Sequence, residues 1–219
     1  KVGVVYPTFE EYPHRLQKEQ IVPFFPANKD CRYTADDLKA FYADKELSTL
    51  LLINPDNPSG NFIPVPDVLM LAAWCQDHGI RLILDESFVD FSQDWETSSL
   101  LDNGILQAYP NLIVVKSISK SFGVPGLRLG ILASANKELI AQIKKEVSIW
   151  NLNSFAEFFM QIYTKYEKDY KRACEKFQME RTRFYHALSA VPFLRVIPSE
   201  ANYFLCEVTD RFSSTELTE

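Results

Sequence analysis

A chain of 219 residues with a formal net charge of −6, 47% hydrophobic and 24% charged, has room for one sizeable core and part of a second. The acidic balance excludes a general nucleic-acid surface, which needs clustered Lys and Arg, and no apolar run approaches the roughly 20 residues that span a bilayer, so a cytoplasmic protein is expected. Four cysteines without a CxxC pair (Cys31, Cys75, Cys174, Cys206) and three scattered histidines (His14, His78, His186) give neither a disulfide framework nor metal-ligand spacing.

The chain opens on "KVGVVYPTF", an apolar strand running into a loop, and ends on "RFSSTELTE" after a strand-like "YFLCEV". Both ends read as cuts through a longer polypeptide. Between them, short apolar runs at 50–53, 82–84, 112–115 and 130–133 alternate with helical stretches. The segment "PDVLMLAAWCQDHG" carries Pro66 where a helix starts and Gly79 where one stops. This βαβ pattern with near-continuous apolar strands predicts an α/β fold: a mostly parallel sheet with helices on both faces. Helical spacing follows over 136–148 and again, as one long charged stretch, over 154–190. Its aromatic residues, among them Phe158, Phe159, Tyr163 and Tyr166, read as packing. After Pro192, "FLRVIP" and "NYFLCEV" look like the start of a smaller α+β domain. The expected division is a large domain over 1–150, a connecting helix over 151–190 and the beginning of a small domain over 191–219.

Ligands of open α/β sheets bind beyond the carboxyl ends of the strands, so the residues there carry the functional argument. The first run ends in "NPDNPSG", with Asn57 and Ser59 at a turn. The second ends in "DESFVDF", with Asp85 at its tip. The third opens into Ser117, Ser119 and Lys120, with Arg128 eight residues past the lysine. Singly these are turn formers, a helix cap and solvated charges. Together they supply an amine for a Schiff base, a carboxylate for a ring nitrogen, an amide for a phenolic oxygen, and hydroxyls with a guanidinium for a phosphate. Pyridoxal 5'-phosphate is the cofactor with those needs. A nicotinamide-binding sheet is set aside because no GxGxxG follows any strand.

In order and spacing, "NPDNPSG", "LDESFVDF" and "SISKSFGVPGLRLG" resemble the signatures of the class I/II, fold type I pyridoxal-phosphate aminotransferases, nearest to the histidinol-phosphate aminotransferase and threonine-phosphate decarboxylase branch. The resemblance runs from "YPTFEEY" to "ANYFLCEV". It implies that Lys120 holds the cofactor as a Schiff base and moves the α-proton, that Asp85 pairs with the pyridinium nitrogen, and that Asn57 bonds the phenolic oxygen. Ser117, Ser119 and Arg128 would hold the phosphate. Phe9 matches the aromatic that stacks on the ring, its other reading being a loop anchor. Phe88 stands where many relatives carry a tyrosine. The resemblance also implies a homodimer, further phosphate contacts upstream of Lys1 and a substrate-carboxylate arginine downstream of Glu219.

The expected function is amino-group transfer between an amino acid and a 2-oxo acid, the alternative being decarboxylation of a phosphorylated amino acid. Such a substrate would need extra basic groups, for which Arg15, Arg32 and Arg195 are only scattered candidates. A catalytically silent binding domain of the same fold is the reading from another class. Intact Lys120, Asp85 and Arg128 argue against it.

Overall fold

The computed structural model describes residues 1–210 and 212–218. Six strands, β1 (Val2–Val5), β2 (Ile21–Phe24), β3 (Thr49–Ile53), β4 (Arg81–Asp85), β5 (Leu112–Ser117) and β6 (Gly130–Ala133), form one sheet in the order β2-β1-β3-β4-β5-β6. All five residues of β3 are buried. Successive side chains of a strand point to opposite faces, so both faces of the sheet centre are covered.

The first five strands of that order pair in parallel, as the alternation of runs and helices predicts. β6 departs from it and runs antiparallel to β5. The connection over 118–129 contains only a 3-10 turn, Pro125–Leu127, in place of the crossover helix that a parallel neighbour needs. β2 was not legible in the sequence because Pro23 interrupts it. Its place at the sheet edge is where a missing N–H is tolerated.

Eight α-helices lie among the described residues: α1 (Glu11–His14), α2 (Ala35–Tyr42), α3 (Val65–Asp77), α4 (Trp95–Ser98), α5 (Asn103–Ala108), α6 (Lys137–Glu146), α7 (Ser154–Ile162) and α8 (Glu167–Ser189). α3 buries Val68, Leu71, Ala72 and Cys75, the i, i+3, i+4, i+7 stripe of a core-facing helix, and Gly79 at φ +67° takes the left-handed conformation that ends it. α2 starts on a capping box in which Thr34 and Asp37 satisfy each other's backbone N–H. With Leu50, Leu52, Leu82, Leu84, Leu112 and Val114 of the sheet these helices form the main core.

The stretch over 154–190, expected to be continuous, is two helices joined by a 3-10 turn at Tyr163–Tyr166. Phe159 and Tyr163 pack edge-on against Phe122, at 6.1 Å and 5.6 Å between centroids. Phe158 and Tyr166, also expected to pack, are exposed. α8 is fastened to the 3-10 turn Val89–Phe91 that follows β4 by the buried Arg181, which donates to the Phe91 carbonyl at 2.6 Å and pairs with Glu200 at 3.1 Å. The chain then forms a separate antiparallel pair, β7 (Leu194–Val196) and β8 (Cys206–Val208). No helix among the described residues is long and apolar enough to cross a membrane.

Candidate functional site

Because β3, β4 and β5 are parallel neighbours at the sheet centre, the three polar motifs that follow them open at the same edge. Asp85 ends β4 with its side chain 9% exposed. Its Oδ1 accepts the Ser87 N–H at 2.8 Å and its Oδ2 accepts the Tyr12 hydroxyl at 2.5 Å. Burial, and then the Asp85 charge, hold the Tyr12 phenol well above its ordinary range, so it is a neutral donor. Ser87 Oγ accepts the Ser117 N–H at 3.0 Å. One chain of hydrogen bonds therefore joins α1, the tip of β4 and the end of β5. The neighbouring Glu86 takes no part: it is buried, accepting from Ser99 Oγ and from the Leu100 N–H, both at 2.6 Å.

The turn after β3 is built around Asp56. Its carboxylate accepts the Ser59 N–H at 3.2 Å, the Ser59 hydroxyl at 2.5 Å and the Tyr33 hydroxyl at 3.1 Å, while its carbonyl accepts the Tyr203 hydroxyl at 2.8 Å. Burial pushes this acid up to about 6 against the pull of those donors. Gly60 sits at φ +69° against Ser199. Both ends of the turn are thus held, and Asn57 is displayed between them.

The loop after β5 presents Lys120, exposed, with Nζ 5.6 Å from the centroid of the Phe88 ring. The side chains of Asn57, Ser117, Ser119 and Lys120 have no hydrogen-bond or ion-pair partner among the described residues. Arg128, in the left-handed conformation at φ 55°, makes one long hydrogen bond, 3.4 Å, to the Pro125 carbonyl. Uncommitted donors gathered at a strand edge are what an anionic, ring-bearing ligand requires.

Phe9 is half-exposed and meets Tyr12 edge-on at 6.1 Å. The aromatic that reaches Asp85 is Tyr12, three residues further along the same "PTFEEY" motif and not singled out from the sequence. Ser87, Asp56, Tyr33 and Tyr203 were missed as well; the places of Asp56, Ser87 and Tyr203 inside the quoted "NPDNPSG", "DESFVDF" and "NYFLCEV" are the one signal that could have drawn notice. Among the three arginines considered for a phosphorylated substrate, Arg15 pairs with Glu11 and Arg195 with Asp30 and Glu207. Arg32 donates to the Asn61 side chain and the Pro198 carbonyl.

The model of the family described as "Aminotransferase class I and II" matches residues 1–219. The chain belongs to this family. Among its relatives, the L-serine phosphate decarboxylase of Sulfurospirillum multivorans is 31% identical over 98% of this chain and 56% of its own length. The CMP-5'-(3-aminopropyl)phosphonate synthase of Streptomyces rubellomurinus is 31% identical over 98% of this chain and 33% of its own. The crystal structure of histidinol-phosphate aminotransferase from Clostridium acetobutylicum superposes with a TM-score of 0.86 at 26% identity, covering 99% of this chain and 64% of that one. The chain thus spans a third to somewhat over half of the curated relatives it matches.

Pyridoxal phosphate is the cofactor of the class I and II aminotransferases. The donor set fits it: an amine, an amide and two hydroxyls without hydrogen-bond partners among the described residues, a buried carboxylate at a strand tip, and a guanidinium bonded to a carbonyl at 3.4 Å. Lys120, Asp85, Asn57, Ser117, Ser119 and Arg128 are the residues that could hold it.

Proposed function

We propose that this chain carries the cofactor site of an enzyme that moves an amino group between an amino acid and a 2-oxo acid. The observation that carries this reading is that three adjacent parallel strands bring their polar motifs to one edge, the buried Asp85 at the tip of the middle one and uncommitted side chains after the two that flank it. When bound, the cofactor supplies an electron sink for charge released at the substrate's α-carbon. Lys120 would be the amine that holds the cofactor and the base that carries a proton from and to the substrate's α-carbon. Proximity gives one amine both roles. Asp85 holds a proton at the ring nitrogen; its buried carboxylate is oriented by the Ser87 N–H and screened from water by Tyr12. Asn57 orients the ring through its phenolic oxygen. Ser117, Ser119 and Arg128 bind the phosphate, charge-assisted bonds of the stronger kind. Tyr12, next to Asp85, is better placed than Phe9 to cover the ring. The proposed assembly is a homodimer.

A second reading, decarboxylation of a phosphorylated amino acid, is favoured by the L-serine phosphate decarboxylase relative, which matches nearly the whole chain, and by Phe88 in place of a tyrosine. The two differ in which bond at the α-carbon is broken.

Incubation of the intact protein with pyridoxal phosphate, borohydride reduction and peptide mapping tests the shared core of both readings: a pyridoxyl group on Lys120 is expected. Folded protein unlabelled at Lys120 refutes it and supports a silent binding domain. Product analysis with amino acids then separates the two, a 2-oxo acid marking amino transfer and carbon dioxide with an amine marking decarboxylation.

A further inference from the structure

Lys120 Nζ faces the Phe88 ring at 5.6 Å and has no hydrogen-bond or ion-pair partner among the described residues, so the backbone that carries it largely sets where the amine stands. A flexible four-carbon stem cannot hold a position by itself. What fixes the loop is a buried carboxylate outside the cofactor-facing set. Asp90, on the 3-10 turn Val89–Phe91 that follows β4, points its Oδ1 at Lys116 Nζ at 2.7 Å and its Oδ2 at Ser121 Oγ at 2.7 Å. Both members of the ion pair are nearly buried, at 11% and 9% exposure, so solvent screens it little. Lys116 lies four residues before Lys120 and Ser121 directly after it. The next residue, Phe122, lies flat on Tyr170 of α8 with centroids 4.0 Å apart and planes 5° from parallel.

We infer that Asp90 is a positioning residue for Lys120, its carboxylate fastening the loop on both sides of the lysine so that the amine reaches the site from a fixed backbone. The inference rests on the reading of Lys120 as the cofactor lysine. A pair that served only to neutralise charge in the core would need Lys116 alone. The second oxygen, committed to Ser121, is what ties the pair to the lysine.

Ser121→Ala cuts that bond while leaving the Asp90–Lys116 pair whole, so the fold is retained; Ser121→Thr restores the hydroxyl. Two readouts are taken on the intact protein, with the melting temperature as a control. The first is hydrogen exchange of the cofactor-free protein over the peptide 117–124, expected to be about tenfold faster in Ser121→Ala, unchanged elsewhere and restored in Ser121→Thr. The second is the pyridoxal phosphate concentration that half-labels Lys120 on borohydride reduction, expected to rise about tenfold in Ser121→Ala. Asp90→Ala is expected to exceed Ser121→Ala in both. Exchange and labelling within twofold of wild type in Ser121→Ala overturn the inference, and so does faster exchange with unchanged labelling, which would make Asp90 a loop anchor without consequence for the lysine. Wild-type protein unlabelled at Lys120 overturns the cofactor reading itself, and with it the positioning role. That result is separate from the others because it shows in the wild type.

Discussion

Replacing Gly60 by alanine probes the turn that displays Asn57, and its cost can be worked from two independent sources. Gly60 stands at φ +69°, where a Cβ-bearing residue loses about 1–2 kcal/mol. A Cβ there would also lie 2.0 Å from Ser199 Oγ, 2.5 Å from its Cβ and 2.8 Å from its Cα. The last of these atoms belongs to the backbone, which cannot rotate away, so an overpacking cost of about 1–3 kcal/mol is added. Gly79 is the control: φ is +67° and nothing lies within 4 Å of its added Cβ, so Gly79→Ala carries only the conformational part. Gly60→Ala is therefore expected to destabilise by about 2–5 kcal/mol and Gly79→Ala by about 1–2 kcal/mol. Urea unfolding monitored by circular dichroism measures both, the midpoints being compared at a common slope. A Ser199→Gly background is expected to recover part of the difference, because it removes the crowding side chain and leaves the crowding backbone in place. Equal costs for Gly60→Ala and Gly79→Ala, within about 0.5 kcal/mol, would refute the close approach of the turn to Ser199.

Two further predictions concern protons. Asp56, with its carboxyl at about 6 in the folded protein against an ordinary value of about 3.9, binds its proton more tightly folded than unfolded. The contribution of this group to stability should thus be greatest below about pH 4, fall as pH rises to about 6 and level off above, with a slope of at most ~1.4 kcal/mol per pH unit. Asp56→Asn is expected to flatten that interval, and denaturation at a series of pH values that finds the same slope in both proteins would contradict it. Phe88→Tyr places a hydroxyl on the ring beside Lys120 Nζ, and a donor to the phenolic oxygen of bound cofactor should lower the pH at which the lysine–cofactor absorption changes by roughly one unit. A spectral titration with no difference from wild type would show that the hydroxyl fails to reach that oxygen.

What the sequence determined by itself is local. Each of β3, β4 and β5 is a short apolar run that needs no distant partner to be recognised, and each leads within a few residues into its polar motif, so Asn57, Asp85, Ser117, Ser119, Lys120 and Arg128 could be named together. α3 was legible for the same reason, since Pro66 and Gly79 mark its ends and its buried residues keep a helical period. Tertiary structure decided the rest. The direction of β6 depends on the path of a loop, and the break at Tyr163–Tyr166 leaves helical spacing intact on both sides. The contacts that give the site its shape join distant residues: Tyr12 to Asp85 across 73 positions, Tyr203 to Asp56 across 147, Lys116 to Asp90 across 26. No period or motif records such pairs. A hydroxyl or carboxylate acquires its partner only when the packed sheet brings the two within hydrogen-bond distance, and Tyr12, not Phe9, met Asp85 for that reason.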